Sequence, residues 1–212
     1  VSVYLYGWLA AFLLTTCIGA SLFTEYVCLR LMDKDTKRVW DGSAALTGLL
    51  LALVLPAAIP WWMALFASVF AIVLGKQLYG GLGYNLFNPA LAARVVLLIS
   101  FPLHMTSWLI PMHAGATLEM YDFTTSLQFF FFGPESVKQT WDAITMATPL
   151  GHIKTELTQG VTVGEALAHY NYSTLHAFIG FEGGSMGEGS ALAVLMGGMW
   201  LMARHTISWH IP

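Results

Sequence analysis

The stretch DGSAALTGLLLALVLPAAIPWWMALFASVFAIVLGKQL, residues 41–78, holds two apolar runs set apart by two prolines. The first, 42–59, is introduced by Asp41, Gly42 and Ser43 and ended by Pro56 and Pro60; the second spans 61–78. Runs of this apolarity belong in hydrocarbon, but the first is short for a crossing, which takes about 20 residues. Proline withholds an N–H and crowds the preceding turn, so it ends a helix. The stretch therefore predicts helices in a membrane, one of them interrupted.

The rest of the chain agrees. Of its 212 residues 57% are hydrophobic and 10% charged, against roughly 25% charged in soluble domains, and the mean hydropathy is +0.65. Three further apolar runs cover 7–29, 90–110 and 190–203. The fold class is all-α, a polytopic membrane protein. Residues 1–110 form membrane helices, 111–189 a polar extracytoplasmic loop region, and 190–212 the start of a second group of membrane helices. The chain opens on Val1 and stops at ISWHIP, which reads as an internal part of a longer protein with segments missing at both ends. A net charge of −3 without a basic patch among aromatics excludes nucleic acid as a partner. Cys17 and Cys28 lie about 16 Å apart on one helix, too far for a disulfide.

Orientation follows from the basic residues. With alternating runs, the 30–41 loop, the 76–94 turn and Arg204 share one side, and that side holds seven of the nine Lys and Arg. It is assigned to the cytoplasm. The 111–189 stretch, with eight acids and only Lys138 and Lys154, faces out. Two short apolar runs follow glycines and small polar residues, at DGSAALTGLLLALVLP and at GGSMGEGSALAVLMGGMWLMA. Paired interruptions of this kind mark inverted-repeat transporter folds, with helix N-termini capped here by Asp41/Ser43 and Ser185/Ser190. Small residues for close helix packing account for the same pattern. Glu25 and Arg94 are charges inside apolar runs and candidates for ion coupling, for which charges must be paired or face a cavity. Snorkelling of Glu25 to the interface, and anchoring of Arg94 at headgroup level, are the plain alternatives.

Two motifs carry chemistry. YGGLGYNLFNPA, 79–90, places Gly80, Gly81 and Gly83 before the amides of Asn85 and Asn88, and Pro89 opens the next helix where a missing N–H costs nothing. It reads as a tight loop between helices or as backbone held against a ligand. WDAITMATPLGHIKTE, 141–156, puts Thr148 ahead of Pro149, which biases it to an extended conformation. Small Ala147 leaves room beside it, and Asp142 and Thr145 stand six and three residues upstream. A helix cap and an accessible hydroxyl close to the membrane both fit.

DGSAALTGLLLALVLP, GKQLYGGLGYNLFNPALAARVVLLISFP, DAITMATPL and WHIP occur in this order. Together they resemble the RnfD family of the Rnf electron-transport complex, and more distantly the NqrB family of the sodium-pumping NADH:quinone reductase. The resemblance covers 41–212, with the first forty residues matching in pattern only. It implies two inverted five-helix repeats akin to urea and ammonium channels. It also implies a threonine esterified to the phosphate of FMN by a flavin transferase within Asp-x-x-Ser/Thr-x-Ala-Thr. Asp142, Thr145, Ala147 and Thr148 fill that pattern, with Thr148 as the attachment site and Pro149 after it. Met146 stands where the wider motif has glycine. A second, noncovalent riboflavin is assigned to the turn, with Asn85, Asn88 and Gly83 as candidates. The function implied is a membrane electron carrier in an inner-membrane complex that links ferredoxin/NAD electron transfer to Na⁺ or H⁺ movement. Its partners would be the FMN-bearing RnfG protein, the iron–sulfur subunits, the transferase and lipid. No catalytic acid or base and no metal ligand is assigned. The alternatives are an NqrB-type member of a quinone reductase and a flavin-free channel or transporter.

Overall fold

A computed structural model describes residues 1–109, 111, 122–133, 145–146, 149–169, 174–181, 183–208 and 210. Helices dominate the described residues, and the only sheet among them is a two-residue pairing. The all-α expectation holds. The five apolar runs all become helix. They are α1 (Ser2–Leu31), α2 (Ser43–Val54), α3 (Trp61–Ile72), α4 (Pro89–Ser100) and, last in the chain, α10 (Ala191–Ala203). Among the described residues only α1 is long and apolar enough to cross a bilayer.

The fourth run, expected as one span over 90–110, is broken. Phe101 adopts φ −135°, ψ 60°, and a short helix α5 (Pro102–Thr106) starts anew. Pro102 is the cause, since its ring disfavours a helical residue before it. Strand β1 (Trp108–Leu109) follows, then α6 (Phe123–Phe132), β2 (Thr145–Met146), α7 (Pro149–Thr158), α8 (Val163–His169) and α9 (Thr174–Ile179). Within the stretch read as an outer loop, α6 packs on α1 and buries Phe129 and Phe130. Phe123 meets Phe12 edge-on, Phe130 lies tilted against Phe12, and Phe123 also meets Trp8 edge-on at 5.3 Å between ring centres.

The core is α1 to α4, and small residues let its helices touch. Buried positions run Leu5, Leu9, Leu13, Cys17, Ser21, Glu25 and Leu29 along one ridge of α1, Ala44, Gly48 and Ala52 along α2, and Ala64, Ala67, Ser68 and Ala71 along α3. Lipid tails are as apolar as leucine, so packing in a membrane rests on close contact of this kind. Gly48 is where α1 and α2 come close: a Cβ there would lie 2.6 Å from the Cys17 carbonyl oxygen and 2.8 Å from the Ile18 Cα. Both are backbone atoms and neither can yield. Gly48→Ala is expected to lower stability by about 1–3 kcal/mol through overpacking, read as thermal midpoint in detergent. Gly19→Ala on α1, where nothing lies within 4 Å, is the control and should be neutral or mildly stabilising.

Two breaks shape the bundle. In α1, Gly7 sits at φ 56°, ψ −138°, a conformation glycine adopts readily, and kinks the helix there. Helix α2, about 18 Å long, stops well short of the roughly 30 Å hydrocarbon thickness, and the non-helical residues 55–60 after it are all buried. Irregular backbone at that depth needs hydrogen-bond partners in the protein. The segment before α10 supplies them: the Met186 N–H donates to the Leu55 carbonyl at 3.3 Å and the Gly187 N–H to the Leu53 carbonyl at 2.7 Å. Ser2 Oγ and Tyr6 Oη then donate to the Met186 and Gly184 carbonyls. The two interrupted segments singled out in the sequence thus meet. Ser190 caps α10 by accepting from the Ala193 N–H.

The outward faces are apolar. Leu46, Leu49 and Leu50 on α2, Leu65, Phe66 and Val69 on α3, and Leu91, Val95, Leu98 and Ile99 on α4 are all exposed. No residue of α10 is buried among the described residues. A water-soluble chain does not present apolar surface on this scale.

Candidate functional site

The site lies where α1 ends, α2 begins and α3 gives way to a π-helical turn, Val73–Gln77. That turn, closed by the Leu78 N–H on the Val73 carbonyl, widens the helix where Lys76 and Gln77 leave it. Single π-turns of this kind are frequent at functional sites. Both side chains reach the same carboxylate. Lys76 Nζ donates to Glu25 Oε1 at 2.6 Å and Gln77 Nε2 donates to the same oxygen at 2.9 Å. The Glu25 and Lys76 side chains are 3% and 2% exposed. Lys76 Nζ also donates to Ser43 Oγ at 2.6 Å, and that hydroxyl passes the chain on to Asp41 Oδ1.

Glu25 therefore does not snorkel. A cation from a helix 51 residues away holds it inside. Neither charge would remain buried alone, since isolated ions in a low dielectric neutralise instead. The sequence reading missed Lys76, although a Lys and a Glu near same-side ends of two apolar runs were the available signal.

Asp41, in the 3-10 helix Thr36–Asp41 outside the membrane helices, is the exposed end of this chain of bonds. Its slight burial raises its pKa, but the Ser43 hydroxyl and N–H bonds, with Lys76 and Arg38 near, outweigh that and hold the carboxyl below its ordinary range. It is ionised at neutral pH. A lowered carboxyl pKa stabilises above the ordinary value and stops doing so as pH falls through the lowered one. The cluster opens into a cavity of about 240 Å³ lined by Glu25, Lys34, Arg38, Asp41, Lys76 and Tyr84 among others. The 30–41 loop and the turn after α3 thus share one end of the bundle, as alternation of the apolar runs predicted.

The other predicted residues fall as follows. Arg94 is paired, its Nη1 3.3 Å from Glu188 Oε1, and both remain partly exposed. In the glycine turn, Asn88 Oδ1 accepts from the Ala90 N–H and caps α4, whose first residue is Pro89. The side-chain oxygen of Asn85, Oδ1, is buried and has no hydrogen-bond partner among the described residues. Gly83, at φ +91°, has open space where a Cβ would stand. Asp142, Ala147 and Thr148 lie outside the described residues. Thr145 and Met146 form β2, paired antiparallel with Leu109 and Trp108, and Pro149 is the first residue of α7. The extended backbone at Met146 needs no glycine, so a larger residue is compatible with this stretch. The cysteines are both free.

A family model described as NQR2, RnfD, RnfE matches the chain from residue 1 to residue 212. The chain belongs to that family. The D subunit of an ion-translocating oxidoreductase complex from Stutzerimonas stutzeri is 47% identical over 211 residues, covering 99% of this chain and 58% of the relative. Proteins of the same name from Halorhodospira halophila and Rhodobacter capsulatus are 41% and 40% identical, over 99% and 98% of this chain and 57% and 56% of theirs. The chain thus spans a little under three fifths of the length of these curated relatives. The forty N-terminal residues, matched only in pattern by sequence reading, lie inside the family match.

Proposed function

We propose that this NQR2/RnfD/RnfE-family chain works as the RnfD-type membrane component of an ion-translocating electron-transfer complex and carries FMN on Thr148. The observation that carries the reading is the family match over residues 1–212 and the relatives named for such a complex, together with the Asp142, Thr145, Ala147, Thr148 pattern. A phosphoester requires a β-hydroxyl, and Thr148 supplies one. The described neighbours suit it: α7 begins at the next residue, and a phosphate just ahead of a helix meets the positive end of its dipole.

FMN, when bound, would supply one-electron transfer. The chain's residues would hold its phosphate at the start of α7 and keep the segment before it extended through the β1–β2 pairing. Electrons would come from and go to other members of the complex, among them the FMN-bearing RnfG protein and the iron–sulfur subunits, between ferredoxin and NAD. The complex would sit in the bacterial inner membrane with Thr148 outside, where a flavin transferase reaches it. A noncovalent riboflavin at the 79–90 turn is a secondary proposal. Only the Asn85 side-chain oxygen and the space over Gly83 favour it, because Asn88 is spent on capping.

In-gel fluorescence tests the reading. Denatured chain from cells with the flavin transferase is expected to fluoresce under ultraviolet light, and chain from cells lacking it is expected to be dark. A dark band in both would favour the flavin-free channel.

A further inference from the structure

Glu25 is bonded on one side only. Its Oε1 accepts from Lys76 and Gln77, while its Oε2 is buried without a hydrogen-bond partner among the described residues. Leaving a buried acceptor unsatisfied is costly, and more so for a charged group. Only a cation or a hydrogen-bond donor can satisfy a carboxylate oxygen, and the adjoining cavity of about 240 Å³ has room for one with its water. The side-chain oxygens lining it, from Glu25, Asp41 and Gln77, are the hard donors that suit an alkali cation.

We propose that this cluster is an exchange site for a small alkali cation: Glu25 takes the cation, and Lys76 moves from Glu25 to Asp41. The inference rests on the proposed ion-translocating function. Ser43 Oγ already accepts from Lys76 and donates to Asp41, so the ammonium stands one hydroxyl from its second carboxylate. Before exchange Lys76 neutralises Glu25; after it the cation does, and Lys76 neutralises Asp41. Each buried charge has a partner at both stages, which the cost of an unpaired ion in hydrocarbon requires. Asp41 is held ionised and so is ready to receive Lys76. Lys34 and Arg38, which also line the cavity, repel an entering cation, which keeps binding weak enough for release, as ion transport needs.

Difference infrared spectra of the detergent-solubilised complex, Na⁺ minus choline, with no electron donor present, test the site. A Na⁺-induced carboxylate band is expected in the wild type and its loss in Glu25→Gln. In Asp41→Asn the Na⁺ concentration for half-maximal change is expected to rise at least about tenfold, equivalent to about 1.4 kcal/mol. Asparagine can still accept from Ser43, so this variant is expected to fold like the wild type. A band that survives Glu25→Gln, or no Na⁺-induced carboxylate band, would overturn the site, and an unchanged midpoint in Asp41→Asn would overturn the exchange. The spectra need no electron flow, so a missing flavin would sink the proposed function without altering this result. A flavin-bearing, electron-transferring complex with no such band would sink the site alone.

Discussion

Lys76→Met is expected to destabilise the protein by about 3–5 kcal/mol, the usual cost of removing one partner from a buried ion pair. The side chain it removes is 2% exposed and lies 2.6 Å from Glu25. What remains is a carboxylate in hydrocarbon that must take up a proton or draw water in, so the cost is an upper range. Glu25→Leu strands the Lys76 ammonium and should cost a similar amount. The double variant Glu25→Leu/Lys76→Met removes both charges, and buried pairs replaced by apolar side chains are often no less stable than before. Thermal midpoints of the four proteins in one detergent give the coupling. Recovery of most of the loss in the double variant is expected; losses that simply add would mean that the two groups do not act on each other. Stability recovered without ion movement would separate the pair's structural part from its proposed part in exchange.

Thr148→Val is expected to abolish covalent flavin entirely. Valine matches threonine in shape but has no hydroxyl, so no phosphoester can form, and electron transfer through the complex should fall with the flavin. Thr145→Val is expected to keep fluorescence, weakened by the loss of a motif residue, because the Thr148 hydroxyl is still present. Fluorescence lost in Thr145→Val and kept in Thr148→Val would move the attachment site three residues upstream.

The parts legible in the sequence are those governed by local chemistry. Pro56 and Pro60 marked the end of α2, Asn88 and Pro89 the start of α4, and Ser190 the cap of α10, because a cap or a proline acts within a turn of its position. Pro102 carried the same information, and the apolar run around it masked its effect. What escaped is what the fold brings together from a distance. Glu25 meets Lys76 across 51 residues and Arg94 meets Glu188 across 94, and no periodicity in either run announces a partner. The bonds from Met186 and Gly187 to the end of α2 are of the same kind: the sequence showed two interruptions, and only the fold shows that each satisfies the other. Thr148 is a different case, since it lies outside the described residues. Its spacing suits a cap as well as a cofactor, and the preference for the second rests on the family resemblance.

The most direct test of the central claim is the mass of the proteolytic peptide containing Thr148, taken from protein made in cells with the flavin transferase. The account predicts a peptide heavier by FMN less one water, with fragment ions placing the addition on Thr148 and none in Thr148→Val. An unmodified peptide from a complex that still transfers electrons would contradict it.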